Sequence, residues 1–205
     1  WILAQLRARH PGPVIAAGVS LGGNALLRWA AEAGSDASSH VKAVAAICSP
    51  LDLAAGGHAI GRGFNRQIYT RMFLRTMVPK ALRKWEQHPG LFDRDALLAA
   101  RDLYAFANVF TAPVHGFRNT EDYWHRASAK PLLSHIRVPA LVVNALNDPF
   151  VPASSLPRAG EVGPCVTLWQ PRHGGHVGFA QGPWPGHVRA MPDAVSAWLT
   201  AQLPG

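Results

Sequence analysis

The chain has 205 residues, 48% of them hydrophobic, with 20 Lys and Arg against 12 Asp and Glu for a net charge of +8. That length and apolar content can bury one sizeable core, and they predict a single globular domain over 1–205. No apolar run reaches the roughly 18 residues of a bilayer span, and the opening "WILAQLRARH" lacks the basic-then-apolar order of a secretory signal.

In chain order, Ile2, Leu3 and Leu6 share one side of a helix that Pro11 closes, so the sequence reads as entered part-way along that helix. Residues 14–19 form a short apolar run, the pattern of a strand buried on both faces. A helix over 24–33, rich in Ala and Leu, ends at Gly34. A second buried strand, 41–47, closes in "CSPLDL". Then comes a long interruption, 54–136, basic between Arg62 and Lys84 and helical and aromatic later in "DALLAARDLYAFANVF". A structureless loop of that length is implausible in a compact domain, so it predicts a helical insertion, a cap or lid. Strands at 138–145, entered through Pro139, and 166–170 follow. A last helix over 192–203 carries Val195, Trp198, Leu199 and Leu203 in one stripe. Apolar strands alternating with helices predict an α/β fold with a parallel sheet.

Cys48 and Cys165 lie far apart in apolar surroundings. They read as small hydrophobes in a reducing, cytoplasmic compartment rather than as a disulfide framework. The basic run has no zinc-finger, RNA-recognition or phosphate-loop pattern beside it, so nucleic acid is not among the expected partners. It reads as a solvated face or as a contact with anionic membrane.

The chemistry concentrates where the first strand ends. Gly18-Val19-Ser20-Leu21-Gly22 fits G-x-S-x-G. A serine hydroxyl standing clear at the end of a sheet requires a sharp strand-to-helix turn, where side chains at the flanking positions clash. The helix that follows presents unpaired N–H groups where negative charge develops, and Leu21 N–H is the expected oxyanion donor. Serine needs a base, and the base needs an acid to orient it. "NALNDPFVP" offers Asp148 at the end of the third strand, Asn147 being unable to ionise. "RHGGHVGF" offers His173 and His176 after the fourth. His176, followed by Val177-Gly178-Phe179, suits a base on a short loop, with His173 in reserve. His-Gly-Gly-His has metal-ligand spacing but no third ligand cluster near it, so no metal or cofactor is expected.

"GVSLGGNALLRW", "TAPVHGFRNTEDYWHRAS", "VPALVVNALNDPFVP" and "HGGHVGF" resemble YheT-type α/β-hydrolases, a group of serine esterases that includes membrane-associated lipases and acyltransferases. The resemblance spans nearly the whole chain and implies an α/β-hydrolase fold, a helical cap, and a triad of Ser20, Asp148 and His176. It implies a small-molecule or lipid ester as substrate, with an acyltransferase using the same triad as the alternative. It also implies that strands preceding the nucleophile, and with them a second oxyanion donor, are missing from this chain. A non-catalytic truncated remnant, its exposed sheet edge pairing elsewhere, is the rival expectation.

Overall fold

A computed structural model describes residues 1–204. The four apolar runs become four strands: β1 (Ile15–Val19), β2 (Ala43–Ile47), β3 (Ala140–Val143) and β4 (Val166–Trp169). All are parallel, in the order β1-β2-β3-β4, with Gly18 opposite Ala46 and Ile47 opposite Val143. Parallel strands end on the same edge of a sheet. The residues just past Val19, Ile47, Val143 and Trp169 therefore collect at one carboxyl-terminal edge, where α/β folds place their sites.

Side chains alternate across the sheet with period two. Val44, Ala46, Ala140 and Val142 pack against Leu27 and Ala30 of the helix that follows β1, α2 (Leu21–Ala33). Ala43, Ala45, Ile47 and Val143 point the other way, onto Met191, Val195 and Leu199 of the last helix, Ala190–Thr200. A strand covered on both sides needs apolar residues at every position, which is why β2 and β3 are unbroken apolar runs and are buried throughout. β1 departs from the expectation of two-sided burial. None of its residues is buried, and Val19 is 51% exposed. It pairs on one side only, with β2, so in this sheet it is an edge strand.

Two helix starts also shift. α2 begins at Leu21 rather than at residue 24, with Ser20 at the N-cap position, its backbone carbonyl and not its side chain bonding into the first turn. The last helix begins at Ala190, so Pro192 falls in its first turn, where a missing N–H has no intrahelical acceptor to lose. α1 (Ile2–Arg9) forms as its pattern predicts but buries no residue; only Leu3 packs partly on the core, and Ile2 is 68% exposed.

The chain divides into two compact units: Trp1–Leu51 with residues 128–204, and Asp52–Ala127. Ala129, Leu133 and Ile136 are fully buried beside Leu27 and Val138, so the segment 128–136 packs with the sheet. The second unit is helical, including Leu53–Ile60, Arg71–Gln87, Arg94–Ala99 and Thr120–Ala127. Its own core holds Ala81, Phe92, Leu97 and Phe106. Its aromatic residues mostly pack on one another: Phe92 meets Phe110 edge-on at 4.9 Å, and Trp124 meets His58 at 5.3 Å. Phe64 is 69% exposed. Among the described residues, no helix is long and apolar enough to cross a membrane.

Candidate active site

The site starts from one strained residue. Ser20 has φ 51° and ψ −125°, a backbone region that non-glycine residues enter at a cost of about 1–3 kcal/mol. Bonds on both sides hold it there. Its N–H donates to the Ile47 carbonyl at 2.8 Å, and its own carbonyl accepts from Gly23 N–H at 3.0 Å. The turn leaves no space at Gly18, where a Cβ would stand 2.5 Å from the Gly22 carbonyl oxygen and 2.7 Å from Gly23 Cα.

The second glycine of the pentapeptide behaves differently from its expected role. A Cβ at Gly22 meets nothing within 4 Å, so crowding does not demand glycine there. The crowded position is Gly23, where a Cβ would overlap Ser49 Oγ and approach the Gly18 carbonyl oxygen to 2.7 Å. The first turn of α2 rolls Gly22 outward and lays Gly23 against the end of β2. The nearest obstructing atom comes from Ser49, far away in sequence, with the Gly18 carbonyl and Ala46 behind it.

The other two groups arrive on loops from the same sheet edge. His176 Nε2 lies 3.2 Å from Ser20 Oγ, and His176 Nδ1 lies 2.9 Å from Asp148 Oδ2. With Nδ1–H donated to the carboxylate, Nε2 is left as an acceptor for the serine hydroxyl. The Asp148 side chain is fully buried, and its other oxygen accepts from Phe150 N–H at 2.8 Å and Val151 N–H at 3.3 Å. Those amides fix the carboxylate and compensate a buried charge. The Phe150 ring packs on the imidazole, centroids 4.6 Å apart. Leu21 N–H opens α2, among the first-turn amides that have no partner within their helix. His173 is exposed and bonds neither Ser20 nor Asp148, so His176 alone of the two histidines reaches the serine.

Two residues that the sequence reading set aside hold the histidine loop. Asn147 Oδ1 accepts from both Gly174 N–H and Gly175 N–H at 2.9 Å, fixing the loop that carries His176. Its inability to ionise, which excludes it as the acid, suits it to this neutral role. The only available signal was its place one residue before Asp148. Cys48 follows β2, and its Sγ accepts from Val177 N–H at 3.3 Å. Burial pushes this thiol up to about 11, so it is a protonated, inert group at neutral pH. The loop is tightly wound: Val177 and Phe179 have φ 61° and 46°, and a Cβ at Gly174 would meet the Phe179 ring at 2.6 Å.

Among the described residues, Cys48, Asp148 and His176 are the grouping of metal-ligand type, their donor atoms within 4.8 Å of one another. Both ring nitrogens of His176 already have partners in Ser20 and Asp148. A cation there would have to displace the hydrogen bond that orients the imidazole.

A serine on a tight strand–helix turn, a histidine bonded to it and a buried carboxylate behind, all at the end of a parallel sheet, define an α/β-hydrolase type of site. The chain matches the family model described as alpha/beta hydrolase fold over residues 1–183, and it belongs to that family. The YheT resemblance extends across the chain. It is 32% identical over 206 residues to the Escherichia coli (strain K12) protein that carries the esterase name YheT, covering 99% of this chain and 60% of that protein. It is 30% identical over 208 residues to phospholipase ABHD3 of Mus musculus, covering 98% of this chain and 49% of that one. The chain thus spans about half to three-fifths of the length of these relatives. Among solved structures it is similar in fold to the monoacylglycerol lipase of Paleococcus ferrophilus, with a TM-score of 0.53 at 16% identity, covering 98% of this chain and 73% of that one.

Proposed function

We propose that the protein containing this chain is a serine hydrolase that cleaves carboxylic esters, of short or medium acyl chains or of lipids, through an acyl-serine intermediate. His176 Nε2 takes the Ser20 proton as Oγ attacks the ester carbonyl, while Asp148 holds Nδ1–H and stabilises the imidazolium. Leu21 N–H donates to the oxyanion. His176 then protonates the departing alcohol, and Ser20 is left as its ester. Water, deprotonated by the same imidazole, attacks that ester, and the acid leaves as Oγ recovers its proton. No cofactor or metal takes part in this reading.

One observation carries it: the unbroken relay from Ser20 Oγ to His176 at 3.2 Å and on to Asp148 at 2.9 Å. The esterase and phospholipase names of the relatives point the same way. The basic stretch of the helical unit supports, in addition, a peripheral contact with anionic membrane, weakened by salt.

The test is hydrolysis of a series of p-nitrophenyl acyl esters by the chain and its Ser20→Ala variant. The reading expects kcat/KM to fall by about 10⁴-fold or more in the variant, since removing one member of such a triad leaves only binding and oxyanion stabilisation. Equal turnover by both proteins would refute it. Ethanol added to the same assay separates hydrolysis from acyl transfer by the product formed, free acid or ethyl ester.

A further inference from the structure

The helical unit contains an open-sided cavity of about 870 Å³ whose lining includes no residue of the relay. Arg66, Arg71, Arg75 and Arg101 line it, and Leu74, Val78 and Leu98 supply its apolar wall. The arrangement follows from helix geometry. Arg71, Leu74, Arg75 and Val78 stand at i, i+3, i+4 and i+7 of the helix Arg71–Gln87 and so share one face. The turn before it, Arg66–Thr70, is π-helical, and it brings Arg66 round to the same cavity. Such turns are rare and recur at functional sites.

The charges there are unopposed. Arg71 and Arg75 are i,i+4 neighbours of like sign, an arrangement that disfavours the free helix. Among the described residues, none of the four arginines has an ion-pair partner. Six of the unit's other carboxylates are committed: Asp52, Asp93 and Asp102 accept from helix amides, Asp95 pairs with Arg94, Glu121 bonds Tyr104, and Asp122 pairs with Arg118 and Arg126; Glu86 is exposed near the end of the helix Arg71–Gln87 and does not line the cavity. Four guanidiniums without counter-charge, beside an aliphatic wall, match a ligand with a doubly charged anionic head and an apolar tail. Phosphate monoesters meet the first requirement, because guanidinium binds phosphate oxygens in pairs. A bare phosphate would leave most of the volume and the aliphatic wall unused, since cavities of this size suit drug-sized ligands.

We propose that this cavity is a binding site for a single-chain amphiphile with a phosphate monoester head, the arginines holding the phosphate and Leu74, Val78 and Leu98 the first methylenes of the chain. The proposal concerns the unit Asp52–Ala127 alone and does not depend on the ester-hydrolase reading.

The test is calorimetric titration of the full chain, carrying Ser20→Ala so that the ligand stays intact, with monomeric lysophosphatidate below its micellar concentration at low salt. Saturable binding is expected. It should weaken about tenfold or more in the double variant Arg71→Gln/Arg75→Gln, and likewise in Arg66→Gln/Arg101→Gln, each losing charge-assisted bonds at exposed positions. Lysophosphatidylcholine, whose head has no net charge, and glycerol phosphate, which has no chain, should each bind at least about tenfold more weakly. The control Arg7→Gln/Arg9→Gln, on α1, should bind as the parent does. No saturable binding, unchanged binding in both cavity variants, or equal loss in the α1 control would overturn the proposal. So would binding to anionic vesicles without binding to the monomer, which would mark a surface attraction rather than a cavity.

Discussion

The sheet unit and the helical unit spend their unfavourable energy in different places. Among the described residues, those with positive φ other than glycine, Ser20, Cys48, Val177 and Phe179, lie in the sheet unit, at loops where strands end. The relay of Ser20, His176 and Asp148 lies among them. The helical unit has no such residue among those described; it concentrates unpaired arginines around a cavity instead. Backbone strain serves a site that must hold a few atoms within tenths of an ångström, because a packed sheet can over-determine a turn. Unopposed charge serves capture of a ligand, where position matters less than attraction.

The largest effect expected on this contrast is at the carboxylate. Asp148→Asn keeps the shape of the buried pocket but removes the acceptor that selects the imidazole tautomer, so ester turnover should fall by about 10⁴-fold with little change in melting temperature. Steady-state kinetics beside thermal melts check this; a fall below tenfold would remove Asp148 from the relay.

Next comes the loop that Asn147 holds. Asn147→Ala frees two amides that now share one oxygen. At about 1 kcal/mol for each bond, kcat should fall about ten- to thirty-fold while KM changes little. A rise in KM with kcat intact would place Asn147 in substrate binding instead.

A paired substitution probes the strained turn. Gly23→Ala should destabilise by about 1–3 kcal/mol, as overpacking does, because Ser49 Oγ and the Gly18 carbonyl occupy the space a methyl needs. Gly22→Ala should be neutral or stabilise by up to about 1 kcal/mol, since its surroundings are open and alanine favours helix. Denaturant melts of the two variants decide, and the opposite ranking would contradict the description of the turn.

That pair marks the limit of what the sequence made legible. The strands, the two helices flanking the sheet, and Ser20 and Asp148 were readable, because unbroken apolar runs, glycine at a forced turn and strand-end loops leave local traces; the choice of His176 over His173 came from the family resemblance. The crowding at Gly23 left no trace in the residue types of the pentapeptide, because its causes are a distant side chain, Ser49, and a backbone carbonyl, that of Gly18. Asn147 was passed over for the same kind of reason: its partners, Gly174 and Gly175, are backbone amides that no residue pattern distinguishes. β1 looked like β2 in composition; its one-sided pairing was expected from the resemblance and not from the run itself.

The smallest predicted effect lies in the helical unit. Arg118, through its backbone N–H and then its guanidinium, with Arg126 adding to it, holds Asp122 down to about 2. A carboxyl whose folded pKa is lowered stabilises the fold fully above its unfolded value of about 3.9, and that contribution is lost as pH falls toward 2. Asp122→Asn should therefore lower stability at pH 7 and flatten its decline between about pH 4 and pH 2. Circular dichroism melts across that range would show it; parallel acid profiles for the two proteins would contradict it.

Labelling with a fluorophosphonate probe reports whether Ser20 is an activated nucleophile. One covalent adduct is expected, mapped by mass spectrometry to the peptide containing Ser20, absent from Ser20→Ala and strongly reduced in His176→Ala. A folded chain that takes no label, or a label that persists in Ser20→Ala, would contradict it.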